Sequence, residues 1–179
     1  FDFEYLEKKL QQSQIDIHQI KEQVKKFQVA VPTWGVGTGG TRFARFPGIG
    51  EPQNIYEKIE DCAVINDLMG FTQKVSPHFP WDNVDDFSEL KSFADSYGIG
   101  FDVVNSNTFQ DPDDNSESFK YGSLTNASSA ARDKAIEVNQ RAIDNGRILG
   151  SKGLTVWIGD GGNFPGQISF SRSLERYID

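Results

Sequence analysis

Apolar residues recur along this chain at two different spacings. From residue 3 to 27, Leu6, Leu10, Ile17, Ile20, Val24 and Phe27 follow steps of three, four and seven, with Glu7, Lys8, Lys9, Lys21, Glu22 and Lys25 between them. That spacing predicts one amphipathic helix packed on a domain, too short for a sustained coiled coil. Short β-branched runs then alternate with helical ones. Residues 29–31 predict a first strand, followed by a Gly-rich loop from Gly35 to Pro52. A helix over 54–69 carries Ile55, Ile59, Cys62, Ile65 and Met69 on one face. A second strand is expected at 74–78, with a helix at 84–97 turning Phe87, Leu90, Ala94 and Tyr97 inward. A third strand is expected at 100–104, a polar loop at 105–125 and an Ala-rich helix at 126–149. The fourth strand falls at 154–158, and a last helix starts near Ser169.

The order is therefore one helix and then four βα units. Strands that alternate with helices imply a parallel sheet with helical crossovers. The long loops all follow strands, whereas helices return to strands through tight segments such as Gly98-Ile-Gly100. That asymmetry belongs to a (β/α)8 TIM barrel, whose working face is built from the βα loops. The expected division is an N-terminal amphipathic helix over 1–27 and the first half of a (β/α)8 barrel over 28–179. The competing architecture is a complete four-stranded α/β domain.

Composition narrows the function classes. With 26 Asp plus Glu against 18 Lys plus Arg, the 179-residue chain carries a net charge of −8. An acidic surface repels phosphate backbones, which disfavours nucleic-acid binding. No apolar run reaches the length of a membrane span, so no membrane partner is expected. The lone Cys62 cannot pair within the chain, which fits a reducing compartment, the cytoplasm. The 14 Phe, 5 Tyr and 3 Trp supply many large aromatic anchors.

Three motifs bear on chemistry. Gly35-Val-Gly37-Thr-Gly-Gly40 matches a dinucleotide fingerprint, but it leads into the loop Thr41-Arg-Phe-Ala-Arg-Phe-Pro47 and not into a helix, so it is set aside. Its aromatic and basic tip suits a partner surface or a pocket lid, or else a loop that folds back and buries its own Phe residues. Ser76-Pro-His78-Phe-Pro-Trp81-Asp82 places an imidazole at a strand C-terminus. His78 could serve there as acid or base, with Asp82 fixing its tautomer. The bland alternative is a structural histidine. Val156-Trp157-Ile-Gly-Asp160-Gly-Gly-Asn-Phe-Pro-Gly-Gln167 offers an indole that is either core filler or a flat wall for a sugar, with polar groups for hydroxyls and glycines suited to positive φ at 161 and 162. Asn105 and Phe109 extend the same theme. No cluster of metal-ligand residue types and no Ser-His-Asp arrangement stands out.

Together, the runs 31–47, 76–82 and 156–167 resemble the broad-specificity bacterial L-rhamnose isomerases, members of the xylose-isomerase-like (β/α)8 barrels. The resemblance extends from about residue 5 onward. It implies a metal-dependent aldose–ketose isomerase that converts L-rhamnose to L-rhamnulose, with D-allose and other aldoses as further substrates. Such enzymes use a divalent metal, commonly Mn2+, and assemble as homotetramers. On the family pattern His78 assists ring opening, and Trp34, Trp81, Phe109 and Trp157 wall the pocket. Phe43 lies on a loop reaching into a neighbouring subunit's site. The family's metal ligands and hydrogen-transfer residues come from later strands. This chain is therefore expected to supply the aromatic, sugar-holding half of the site, with Mn2+ bound mainly elsewhere, and to be inactive alone. Two other readings stand beside this one: a sugar epimerase of the same superfamily, and a non-catalytic monosaccharide-binding domain.

Overall fold

The computed structural model describes residues 2–39, 48–79, 81–112, 114–159, 161–162, 164 and 166–179. The first departure from expectation comes at once. Residues 3–27 form two helices, α1 (Asp2–Gln12) and α2 (Ile17–Lys25), and not one. The break has a local cause. The Ile15 N–H donates to the Leu10 carbonyl and the Gln14 N–H to that of Gln11, a Schellman closure with Gln14 in the left-handed region at φ 59. Asp16 then caps the next helix by accepting from the His18 N–H. Ile17 is buried, but Ile20, Val24 and Phe27 are 43%, 66% and 67% exposed, so most of the apolar face of α2 is left uncovered.

The four βα units are present in the predicted order. Strand β1 (Ala30–Pro32) runs into a 3-10 turn over Thr33–Gly35. Helix α3 (Ile55–Met69) is capped by Asn54 and ends at Gly70, whose φ of 79 suits the left-handed C-cap. Strand β2 (Lys74–Ser76) precedes α4 (Phe87–Ser96). Asp86 caps α4 by accepting from the Ser88 and Glu89 N–H groups. Replacing Asp86 with Ala is expected to cost about 1 kcal/mol of stability in urea unfolding.

The third strand differs from its prediction over 100–104. It pairs in two pieces, β3 (Gly100–Phe101) with β2 and β4 (Val104–Thr108) with β5 (Leu154–Ile158). The strand thus extends four residues into the stretch expected to be loop. Between β4 and β5 lies α5 (Ser129–Leu149), capped by Ser128 and closed by Gly150; α6 (Phe170–Ile178) follows, capped by Ser169.

All the ladders are parallel, in the order β1-β2-β3 and β4-β5. A parallel bridge between His78 and Asn105 joins the two sheets, with the Phe79 N–H donating to the Asn105 carbonyl and the Asn105 N–H to that of Pro77. Strands in chain order, each joined to the next through a helix, are the arrangement of consecutive units in a (β/α) barrel.

The core lies between strands and helices. Ile55, Ile59 and Cys62 of α3, Val75 of β2, Leu90 and Ala94 of α4, Val104 of β4, and Ala142 and Leu149 of α5 form one buried cluster. Each large aliphatic side chain buried there contributes about 1.5–3 kcal/mol. Met69 and Tyr97, expected inward, are 54% and 42% exposed at the ends of their helices. Burial pushes the Cys62 thiol up to about 11, so this cysteine packs and does not react. Among the described residues no helix is long and apolar enough to cross a membrane.

Candidate active site

Side chains alternate across a strand, so the residue after a core position faces the other way. Val104 sits in the helix-side core; Asn105 therefore points to the opposite face, where it meets Trp157. On that face the structure brings together five residues singled out from the sequence. The His78 ring lies 5.3 Å from Trp34, 4.1 Å from Trp81, 6.1 Å from Phe109 and 6.0 Å from Trp157, centroid to centroid. Trp34 and Trp157 meet edge to face at 6.3 Å, and Phe109 closes against Trp81 and Trp157 at 6.4 Å each. These residues come from the 3-10 turn after β1, the loop after β2, the end of β4 and strand β5. They form an aromatic cage at the strand C-termini, the place where barrel chemistry is carried.

His78 is 2% exposed, and its Nε2 has no hydrogen-bond partner. A buried polar atom left unpaired is costly, and it marks a place where a ligand group is wanted. Burial, with the Lys58 ammonium adding to it, lowers the His78 imidazole to about 4. The ring is therefore neutral at pH 7 and offers one donor and one acceptor nitrogen.

Asp82 does not do what the sequence suggested. It accepts from the backbone N–H of His78 at 2.8 Å, not from the ring. Its other partners are the Thr33 hydroxyl at 2.5 Å and the Lys58 ammonium at 2.7 Å, the latter pair fully buried. A neutral ring surrounded by hydrocarbon edges needs no carboxylate, whereas a carboxylate beside an ammonium is fully engaged. Lys58 was missed by sequence reading, although its position was open to it. It falls three residues after Ile55 and four before Cys62, on the buried face of α3.

Asn105 is likewise committed to structure. Its amide donates to Ser76 Oγ and the Pro77 carbonyl, both at 2.9 Å, and its oxygen accepts from Trp157 Nε1 at 3.1 Å. It fixes the indole of Trp157 and has no amide hydrogen left for a sugar hydroxyl. Trp157 itself is 44% exposed, so one side of the cage is open. Gly161 has the positive φ expected, at 76, and a side chain there would run into the Tyr121 carbonyl; Gly162 does not share the positive φ. Phe43 and Asp160 lie outside the described residues.

A cavity of about 430 Å3 adjoins the cage, sharing Trp81 but not His78, and running between α5 and the loop after β4. Lys134 and Asp114 pair there at 2.7 Å, which holds the Asp114 carboxyl well below the usual carboxylate range. The described residues contain no group of three or more His, Cys, Asp or Glu able to hold a metal. Among the described residues the cage has an imidazole but no adjacent free carboxylate, so the described residues do not fit a divalent ion.

Comparisons with known proteins give the site a context. No family model matches the chain. It is 54% identical over 178 residues to a protein of Mesorhizobium japonicum and to one of Rhizobium meliloti, both named "Probable sugar isomerase". The alignment takes in 99% of this chain and 41% of each relative, so the chain spans well under half their length. Among solved structures it is similar to L-ribulose 3-epimerase, with a TM-score of 0.55 and 13% identity, over 84% of this chain and 42% of that one. The chain is thus similar in sequence to proteins named as sugar isomerases and similar in fold to a sugar epimerase.

Proposed function

We propose that this chain holds the sugar-gripping half of an aldose–ketose isomerase active site, with L-rhamnose and related aldoses as substrates. The observation that carries this reading is the unpaired, buried Nε2 of His78 inside a ring of Trp34, Trp81, Phe109 and Trp157. Indole and phenyl faces stack on the C–H face of a pyranose, and a neutral imidazole bonds one of its hydroxyls. The 54% identity to proteins named as sugar isomerases supports the same class.

In this reading His78 meets the sugar at its anomeric end. Ring opening breaks the C1–O5 bond, removes the O1 proton and delivers a proton to O5. Nε2 takes the O1 proton and returns it to O5 as the C1–O5 bond breaks, so the ring ends neutral as it began, and the aromatic walls exclude water while it does so. The hydrogen shift from aldose to ketose that follows is assigned to residues outside those described. The divalent metal is assigned there too, commonly Mn2+ on the family pattern; it would polarise the sugar's O1 and O2. Phe43 is proposed to reach a neighbouring subunit in a homotetramer, and the cytoplasm is the proposed location.

The test exploits composition. All 3 tryptophans of the chain are cage residues, so tryptophan emission, excited selectively over that of the 5 tyrosines, reports the cage alone. L-rhamnose is expected to change that fluorescence saturably, and His78→Phe to weaken the binding at least tenfold. No saturable change with L-rhamnose or D-allose would overturn the reading. Incubating the complete gene product with L-rhamnose and Mn2+ and following carbon-bound protons by NMR separates the activities. Appearance of the 2-ketose supports an isomerase. Sugar binding with no ketose, but with epimerised ketose when a ketose is supplied, moves the assignment to an epimerase.

A further inference from the structure

The cage stands on a buried ion pair that the proposed chemistry does not use. Lys58 Nζ and Asp82 Oδ1 are 2.7 Å apart, and both side chains are wholly inaccessible. Asp82 also takes the Thr33 hydroxyl and the His78 backbone N–H. Three segments therefore meet at one carboxylate: the turn after β1 that carries Trp34, helix α3, and the loop after β2 that carries His78, Trp81 and Asp82 itself. Such a pair is costly to bury, and replacing one with well-packed apolar residues is often neutral or stabilising. A fold that needed only cohesion here could use hydrocarbon.

We propose that Lys58 and Asp82 are positioning residues of the sugar cage: their ion pair clamps the backbone at His78 and sets the electrostatic field in which its imidazole works. The inference rests on the reading of His78 as the sugar-facing group. Among the described residues, the charged groups facing His78 are Lys58 from α3 and Asp82 from its own loop. The remaining surfaces against it are uncharged: Trp34 from the turn after β1, Asn105 and Phe109 from and just after β4, Trp157 from β5, and Trp81. The Lys58 ammonium repels a proton on the ring, acting in the same direction as burial. Burial is the larger cause, and the Lys58 charge adds to it, so the imidazole stays neutral and able to accept a sugar proton through the acidic end of the physiological range.

The experiment follows His78, one of the two histidines of the chain, by NMR titration of its ring protons. In Lys58→Met/Asp82→Asn the charges are removed together, while Asn can still accept from Thr33 and His78. The His78 midpoint is expected to rise above about 4 by the share that the Lys58 charge contributes, with burial still holding it below 6.5. Lys58→Arg, which keeps the charge, is expected to leave the midpoint low. An unchanged midpoint in the doubly substituted chain, with its native tryptophan emission retained, would reduce the pair to a structural strut and overturn the proposal. A second measurement needs no variant. The Lys58 ammonium should give a slowly exchanging 1H–15N signal at pH 7, and a neutral amine there would also overturn it. Neither readout involves sugar, so failure of this proposal is distinct from failure of the sugar-binding reading.

Discussion

Asp82→Ala is expected to destabilise the protein by about 3–5 kcal/mol, the usual cost of stranding one partner of a buried ion pair. Three groups lose an acceptor at once. The Lys58 ammonium is left in the interior with no counter-charge, the His78 N–H is left unpaired, and the Thr33 hydroxyl keeps only its 3.4 Å contact with the Ser76 carbonyl. A fold with a marginal free energy tolerates little of this, so part of the population should be unfolded at room temperature. Asp82→Asn keeps two of the three acceptor contacts and is expected to cost less than Asp82→Ala. Urea unfolding monitored by far-ultraviolet circular dichroism ranks the two. Equal stability of Asp82→Ala and the unaltered chain would show that the pair does not hold the loop.

The second large effect is expected from acid. His78 titrates near 4 in the folded protein against 6.5 in an unfolded chain. Between those values the unfolded state binds a proton that the folded state refuses, so stability falls as pH drops from about 6.5 to about 4 and this contribution then levels off. The loss is on the order of 3 kcal/mol. Carboxylates such as Asp114, held below their usual range by a partner, add losses of the same sign at lower pH. Subtraction isolates the histidine. A pH series of unfolding midpoints for His78→Gln should be flatter than that of the unaltered chain over this window, and parallel curves would refute the buried-imidazole account.

Sequence periodicity was a good guide where elements were long and punctuated. Helices α3 and α5 are recovered nearly to their ends because a polar cap opens each and a glycine with positive φ closes it. The aromatic cage was legible as a set of residue types at strand ends. Two things were not. The break after Gln12 carries no glycine or proline, and its sign was Asp16 standing before a fresh helical run. The partner of Asp82 was hidden because the spacing of His78 and Asp82 suggests a ring contact, whereas the loop turns the carboxylate toward a backbone N–H and a lysine from another helix. Which of two acceptor geometries a loop adopts is decided by tertiary packing, and local pattern holds no record of it.

The ladders pair Ala30 with Lys74 and Val104 with Leu154, so each closes only after a whole helix has been threaded between its strands. The entropy of those closures falls due before any backbone bond between strands is formed. Folding should therefore be slow relative to that of a helical bundle of equal size, with α3 and α5 present early and the indoles last to find their neighbours. A newly made chain would in that interval show its strand edges to other copies, and its yield should fall as expression is made faster or warmer.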